Sequence, residues 1–144
     1  MKKREFAAEL DSLQEVFDFV GAEAVLAGVA EAKLPMLELL LEEIVANICL
    51  HAKPEGGNFA IEVKKQVGCI ELLFEDDGVS FNPLAKQEPD LTAALEDREI
   101  GGLGLVLMRK IADSLSYRRE QGRNILSARW PKMNIVGGDL NDAD

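Results

Sequence analysis

The chain has 144 residues, of which 47% are hydrophobic and 29% charged, and its formal net charge is -10. This length and mixture predict one folded domain with its own core, and they exclude a fibrous or disordered chain. The acidic excess disfavours sequence-independent binding to nucleic acid or to an anionic membrane, because both require a positive surface. A protein or a small molecule is therefore the expected partner.

Cysteine content and the distribution of apolar residues indicate the compartment. There are two cysteines, with neither metal-ligand spacing nor a disulfide framework, which suits a reducing environment. No apolar run approaches the ~20 residues of a membrane span, and no secretory apolar segment follows the basic N-terminus. We therefore expect a cytoplasmic protein.

Hydrophobic periodicity predicts the first elements of the chain. Alternation over residues 6–10 predicts an opening strand, and apolar residues at helical spacing over 13–20 predict a first helix. Pro35 suits the first turn of a second helix, where its missing N–H would be unpaired anyway, and this helix is predicted to run to about Ala52.

Two hairpins and a third helix are predicted in the remainder. Alternating segments at 59–63 and 70–74 form the first hairpin, and segments at 115–120 and 124–130 form the second. A helix over 105–112 separates them. The predicted order is β-α-α-β-β-loop-α-β-β.

Two stretches lack regular periodicity. Residues 76–104 carry several glycines and prolines and form a long loop of the kind that usually has a function. Residues 133–144 are acidic, have little to bury and are predicted to be disordered. We therefore predict one domain over residues 1–132, followed by the acidic tail.

The second helix carries two polar residues at the border of its core face. Glu43 and Asn47 are four residues apart and stack on one side of the helix, whereas Glu42 projects from the opposite flank. Taken alone, the pair is more simply a surface acid and a locally bonded amide, so the context must decide its role. The core face itself consists of Leu37, Leu40, Leu41, Ile44, Val45 and Ile48.

Two glycine-containing segments flank the long loop. Asp76-Asp77-Gly78 follows a predicted strand, and Gly101-Gly102-Leu103-Gly104 leads into a predicted helix. Glycines before a helix let backbone N–H groups approach an anion, so the second segment suits phosphate as well as a simple flexible turn. The sequence contains neither a Walker P-loop nor a dinucleotide-binding fingerprint.

The series of motifs is more specific than any one of them. Glu-x-x-x-Asn on a helix, Asp-x-Gly after a strand and Gly-Gly-Leu-Gly entering a helix resemble the N-box and glycine boxes of the GHKL ATPases over residues 5–131. Segments 41–48, 75–84, 98–105 and 124–127 look like the small anti-sigma-factor serine kinases of that class. The resemblance implies the Bergerat fold, an α+β two-layer sandwich whose mixed, mostly antiparallel sheet is covered on one face by helices.

The resemblance also implies ATP and Mg2+ as cofactors and assigns roles to matching residues. Glu43 would be the general base, and Asn47 would bind Mg2+ through its amide oxygen. Asp76 would accept a hydrogen bond from the adenine amino group. Gly78 would let the backbone pass close to the base, and Ser127 would support Asp76 through its hydroxyl.

The second glycine box and the loop before it are matched to the phosphates. A lid over residues 82–100 would supply Arg98 or Lys86 as the cation that stabilises the transferring phosphoryl group. One departure leaves nucleotide affinity open, since Ser80 replaces the second glycine of the first box. The backbone N–H groups that would bind phosphate oxygens belong to Gly101, Gly102, Leu103 and Gly104.

The function implied is that of a serine-protein kinase and anti-sigma regulatory factor. It would transfer the γ-phosphate of Mg-ATP to a serine of a STAS-type anti-anti-sigma protein and would also sequester a sigma factor. The alternative is a nucleotide-dependent binding module that sequesters a sigma factor or another regulator without phosphotransfer. A homodimer is expected because similar proteins commonly dimerise.

Overall fold

The computed structural model describes residues 2–85 and 102–132. Within these ranges the strands and helices follow the predicted order. The strands are β1 (Lys2–Ala7), β2 (Asn58–Gln66), β3 (Cys69–Asp76), β4 (Ser114–Glu120) and β5 (Arg123–Trp130). The helices are α1 (Leu13–Leu26), α2 (Leu34–Asn47) and α3 (Gly102–Ile111). The predicted tail, 133–144, and most of the predicted lid lie outside the described residues.

The strands form one sheet in the order β1-β2-β3-β5-β4. Its four pairings within the described ranges are all antiparallel, so the α+β fold class is confirmed while no parallel pair contributes to this part of the sheet. Side chains alternate between the two faces of each strand. On β3 this alternation buries Ile70, Leu72 and Phe74 on one face, against the helices.

Helix α2 lies between α1 and α3 in the helical layer, and its apolar face belongs to the core that covers the sheet. Every residue of its predicted apolar face is buried, in agreement with the 3.6-residue period of the sequence. Burial of each such side chain contributes roughly 1.5–3 kcal/mol, so this face anchors the whole helix and fixes the direction of its polar border. Among the helices of residues 2–85 and 102–132, none combines the length and the apolar composition that a membrane span requires.

The end of α2 differs from the sequence prediction. The α-helix ends at Asn47, and a wider π-helical turn follows over Ile48–Ala52, closed by a hydrogen bond of 2.7 Å from Lys53 N to Ile48 O. Such π-turns are rare and often occur at functional sites. This turn directs the Ala52 carbonyl towards the loop that follows β3.

Candidate functional site

A cleft lies where the end of α2 faces the ends of β3 and β5. Three of its side chains are polar, namely Asn47, Asp76 and Asn124, within an otherwise largely apolar wall. An apolar cleft with a few convergent polar groups is the usual form of a small-molecule site. The rest of the wall consists of Ile44, Ile48, Ala52, Phe74, Phe81, Pro83, Tyr117 and Leu126.

Phe81 and Pro83 border the outer side of this cleft. The Phe81 ring stacks on the imidazole of His51, with ring centroids 4.7 Å apart and an interplanar angle of 22°. The cleft between these residues is narrow, and its volume of about 20 Å³ has room for a water molecule.

Asp76 is the buried acid at the inner end of the cleft, with 3% of its surface exposed. Its Oδ1 accepts hydrogen bonds from Gly78 N at 2.8 Å and from Asn124 Nδ2 at 2.9 Å. Within the described residues, both side-chain bonds of Asp76 end on this oxygen. Its Oδ2 accepts no hydrogen bond from the described residues and is therefore available to a donor group, as expected from the place of Asp76 in the predicted series.

The residue that holds Asp76 is Asn124, and the role predicted for Ser127 is wrong. Asn124 lies opposite Asp76 in the β3–β5 ladder, whereas Ser127 lies opposite Leu73. Because Leu73 and Asp76 differ by an odd number of positions, they face opposite sides of the sheet. The Ser127 hydroxyl therefore lies on the sheet face away from the helices and cannot support Asp76.

A signal for Asn124 was present in the sequence. Asn124 lies an even number of positions from Leu126, Ala128 and Trp130 along the strand, so it shares their face, which is buried on the helix side. A polar residue in register with a core-facing apolar series is rare unless it is hydrogen-bonded. Weighing this parity would have favoured Asn124 over Ser127.

Gly78 brings the loop after β3 into direct contact with the end of the π-turn. A Cβ built on Gly78 would lie 2.0 Å from the Ala52 carbonyl oxygen, which leaves room only for hydrogen at this position. The same oxygen accepts a hydrogen bond of 2.8 Å from Val79 N. Glycine at position 78 therefore allows the loop to pack on the helix end.

Glu43 and Asn47 occupy the side of α2 that faces the site. Both are half-buried, and Asn47 lines the cleft, while Glu42 is exposed on the other flank as predicted. The Glu43 carboxylate lies against the first turn of α3, since a Cβ on Gly104 would be 2.0 Å from Glu43 Oε2. The structure thus joins the predicted base to the second glycine box.

The second glycine box is described only in part. Gly102 begins α3, and Leu103 and Gly104 follow in its first turn, so these three residues occupy a helix N-terminus. Backbone N–H groups at such a terminus are unpaired within the helix and favour an anion. The positions predicted for Arg98, Gly101 and Lys86 lie outside the described residues.

Asp77, next to the buried acid, has a different environment. It is exposed, and Lys53 Nζ donates a hydrogen bond of 2.6 Å to its Oδ1. That hydrogen bond and the lysine charge lower the pKa of Asp77 below its ordinary value. Asp77 therefore belongs to a surface ion pair at the rim, and only Asp76 enters the cleft.

The described residues contain no group of three or more His, Cys, Asp or Glu side chains that would hold a metal by themselves. The amide of Asn47 is an oxygen donor of the type that Mg2+ accepts. This ion usually keeps one or two protein ligands and completes its shell with phosphate oxygens and water. A single amide oxygen beside the cleft therefore fits a magnesium ion that arrives with a nucleotide.

Comparison with known proteins gives consistent matches. The model of a family described as the histidine kinase-like ATPase domain matches residues 6–130. The serine/threonine-protein kinase BtrW of Bordetella bronchiseptica is 34% identical over 93 residues, which cover 63% of this chain and 66% of that protein. The serine-protein kinase RsbW of Halalkalibacterium halodurans is 27% identical over 90 residues, 60% of this chain and 56% of that protein. The chain spans less than two thirds of either relative's length.

Proposed function

Because this chain belongs to the histidine kinase-like ATPase domain family, we propose that it is an ATP-dependent serine-protein kinase and anti-sigma regulatory factor. In this proposal it transfers the γ-phosphate of Mg-ATP to a serine of a STAS-type anti-anti-sigma protein. Two similar proteins are named serine or serine/threonine kinases. The observation that carries the proposal is the buried Oδ2 of Asp76, an acceptor directed to a ligand in a cleft that also contains Asn47.

Asp76 recognises the adenine base in this proposal. Its Oδ2 accepts a hydrogen bond from the adenine amino group, while its Oδ1 remains bonded to Gly78 and Asn124. A buried acceptor rewards a ligand that donates to it and penalises a ligand that presents another acceptor. The apolar side chains around Asp76 would contact the faces of the base.

Asn47 and the first turn of α3 hold the charged part of the nucleotide. The Asn47 amide oxygen would bind Mg2+, which, when bound, neutralises charge between the phosphates. The backbone N–H groups of Gly101, Gly102, Leu103 and Gly104 would bind phosphate oxygens at the helix N-terminus. Arg98 remains the proposed cation for the γ-phosphate, with Lys86 as the alternative.

Glu43 acts as the general base. Its carboxylate lies at the same helix terminus that would bind the phosphates, and this contact supports its role as the base. There it would take the proton of the attacking serine hydroxyl as the oxygen–phosphorus bond forms. Such a group typically contributes ~10²–10⁴-fold to the rate.

The proposed partners are a STAS-type protein, whose serine is phosphorylated, and a sigma factor that is sequestered. We propose that the chain forms a homodimer in the cytoplasm and binds neither nucleic acid nor membrane directly. The net charge of -10 supports the last point, since like charges repel anionic polymers and lipids. A monomer mass by light scattering across micromolar concentrations would contradict the dimer.

The test is incubation of the purified protein with γ-labelled ATP, Mg2+ and candidate STAS proteins. We expect label on a serine of one partner, and none when that serine is replaced by alanine or Mg2+ is chelated. Tight nucleotide binding without label on any partner would favour the binding module instead. Absence of adenine-nucleotide binding would overturn both functions.

A further inference from the structure

Asn124 is the centre of a hydrogen-bond network that connects three parts of the site. It is buried, with 4% of its surface exposed. Its Nδ2 donates to Asp76 Oδ1 at 2.9 Å and to Val79 O at 2.8 Å. Its Oδ1 accepts from Tyr117 Oη at 2.6 Å, from Arg119 Nη1 at 3.1 Å and from Phe81 N at 3.2 Å.

These partners determine which way the amide of Asn124 points. A flipped amide would place its NH2 group against Arg119 and the Phe81 N–H, which can only donate. It would also place the oxygen against the Val79 carbonyl and the Asp76 carboxylate, two acceptors. The flipped orientation therefore loses several bonds and introduces repulsion.

Arg119 fixes this orientation from the edge strand β4. Its guanidinium donates to Asn124 Oδ1 and, at 2.9 Å, to the carbonyl of Gly78 in the first glycine box. A guanidinium stays protonated in proteins and cannot accept a hydrogen bond. The direction of donation is therefore set along the chain of bonds from Arg119 through Asn124 to Asp76.

The hydrogen bonds of Asn124 also determine which oxygen of Asp76 can bind a ligand. Because Asn124 donates a hydrogen bond to Asp76 Oδ1, that oxygen already has a partner within the protein, and Oδ2 remains as the acceptor that faces the cleft. We propose that Asn124, held by Arg119, is a positioning residue that makes the cleft select a 6-amino purine over a 6-oxo purine. The inference rests on the proposed nucleotide binding and extends it to residues of β4 and β5.

The experiment compares the binding of Mg-ATP and Mg-ITP by calorimetry, because inosine differs from adenosine by a 6-oxo group and the N1 proton. Wild type should prefer ATP. Asn124→Ala should lose affinity for ATP more than for ITP, so that the ATP:ITP preference falls about tenfold, as expected when one buried hydrogen-bonding partner is removed. Equal losses for both nucleotides, or an unchanged preference, would mean that Asn124 has only a structural role.

Arg119→Gln provides a second variant that is expected to fold, because Arg119 is exposed at the edge of the sheet. Its ATP:ITP preference should also fall, by less than that of Asn124→Ala. Arg118→Gln is the matched control, since Arg118 is the exposed neighbour on the opposite sheet face and pairs with Glu120. Equal changes in the ATP:ITP preference of the Arg118 and Arg119 variants would show that Arg119 does not act on the cleft through Asn124.

Wild-type measurements separate this inference from the proposed function. A wild type that binds neither nucleotide would overturn both. ATP binding with the expected change in preference, but without serine phosphorylation, would overturn the kinase alone and leave the role of Asn124 intact. Thermal unfolding of each variant checks that the preference is measured on folded protein.

Discussion

The carboxylate of Glu43 lies directly against Gly104, so that any side chain on this glycine would overlap it, with a built Cβ 2.0 Å from Oε2. Glu43 is on α2 and Gly104 is in the first turn of α3. The contact joins the proposed base to the helix end that is proposed to bind phosphate. Each of these two features therefore depends on the other for its geometry.

Gly104→Ala should slow phosphotransfer without unfolding the protein. The added methyl would displace the end of the Glu43 side chain, and misplacement of a catalytic group by about 1 Å costs about 10²-fold in rate. Alanine is intrinsically the better helix former, so the unfolding midpoint should change little. The control is Gly21→Ala in α1, where a Cβ would meet nothing within 4 Å beyond its chain neighbours and the backbone of its own helix. Equal phosphotransfer by both variants would contradict the functional contact.

Substitutions on α2 should separate nucleotide binding from chemistry. Asn47→Ala should weaken both ATP binding and phosphotransfer, because it removes the proposed magnesium ligand. Glu43→Ala should retain ATP binding and lose ~10²–10⁴-fold in rate. The exposed Glu42 supplies the control, and Glu42→Ala should behave as wild type. Nucleotide affinity and single-turnover phosphotransfer to one partner are measured for all three variants. An inactive Glu42 variant beside an active Glu43 variant would overturn the assignment of Glu43 as the general base.

Asp76→Asn should weaken ATP binding by about 1–3 kcal/mol. The new amide oxygen must face Gly78 N and Asn124 Nδ2, which places the NH2 group where Oδ2 now offers an acceptor. Asp77→Asn alters only the rim ion pair with Lys53 and should change affinity far less. Calorimetric titration with Mg-ATP measures both, and equal losses would mean that the wrong aspartate has been assigned to the base.

Gly78→Ala should destabilise the fold as well as the site. The obstructing atoms belong to the backbone of Ala52 and cannot rotate away as a side chain can. Overpacking of this kind typically costs 1–3 kcal/mol, which denaturant unfolding resolves. Val79→Ala is the matched control because the Val79 side chain is exposed while its N–H bond to Ala52 is retained. If Gly78→Ala unfolded at the same denaturant concentration as wild type, the loop would not need to pack on the π-turn.

Glu75 should contribute to stability in a pH-dependent manner. Desolvation by itself raises its pKa, but hydrogen bonds from Arg123 and Lys3 outweigh this and lower the pKa below 4.5. The contribution is therefore complete above about pH 4.5 and is lost as the pH falls through the lowered folded-state pKa. Because both cations are largely exposed, it should not exceed about 1 kcal/mol.

Unfolding of wild type and Glu75→Gln between pH 3 and 7 measures this contribution. The two proteins should differ at neutral pH and converge in acid. Arg123→Gln should remove part of the same free energy, so the double variant should lose less than the sum of the single losses. A constant difference across the pH range would exclude the linkage.

Local sequence patterns determined the element order and the core face of α2. The helical and strand periods depend on neighbouring residues, and burial of one apolar sector leaves little freedom in how a helix is oriented. For the same reason, the four-residue spacing placed Glu43 and Asn47 on one side of α2 at the border of its core face, while their proposed roles came from the family resemblance. The Asp76 and Gly78 pair was identified from the series of motifs that resembles the GHKL ATPases, in which it follows directly on a predicted strand.

Contacts between distant segments were decided only by the tertiary structure. The partner of Asp76 depends on the register between β3 and β5, where a shift of one position moves a side chain to the other face, and so Asn124 replaced Ser127. The π-turn after Asn47 and the contact of Glu43 with Gly104 likewise arise from packing of α2 against α3 and the loop after β3. Local periodicity carries no information about such pairings, because their free energy depends on which segments meet after the chain has folded.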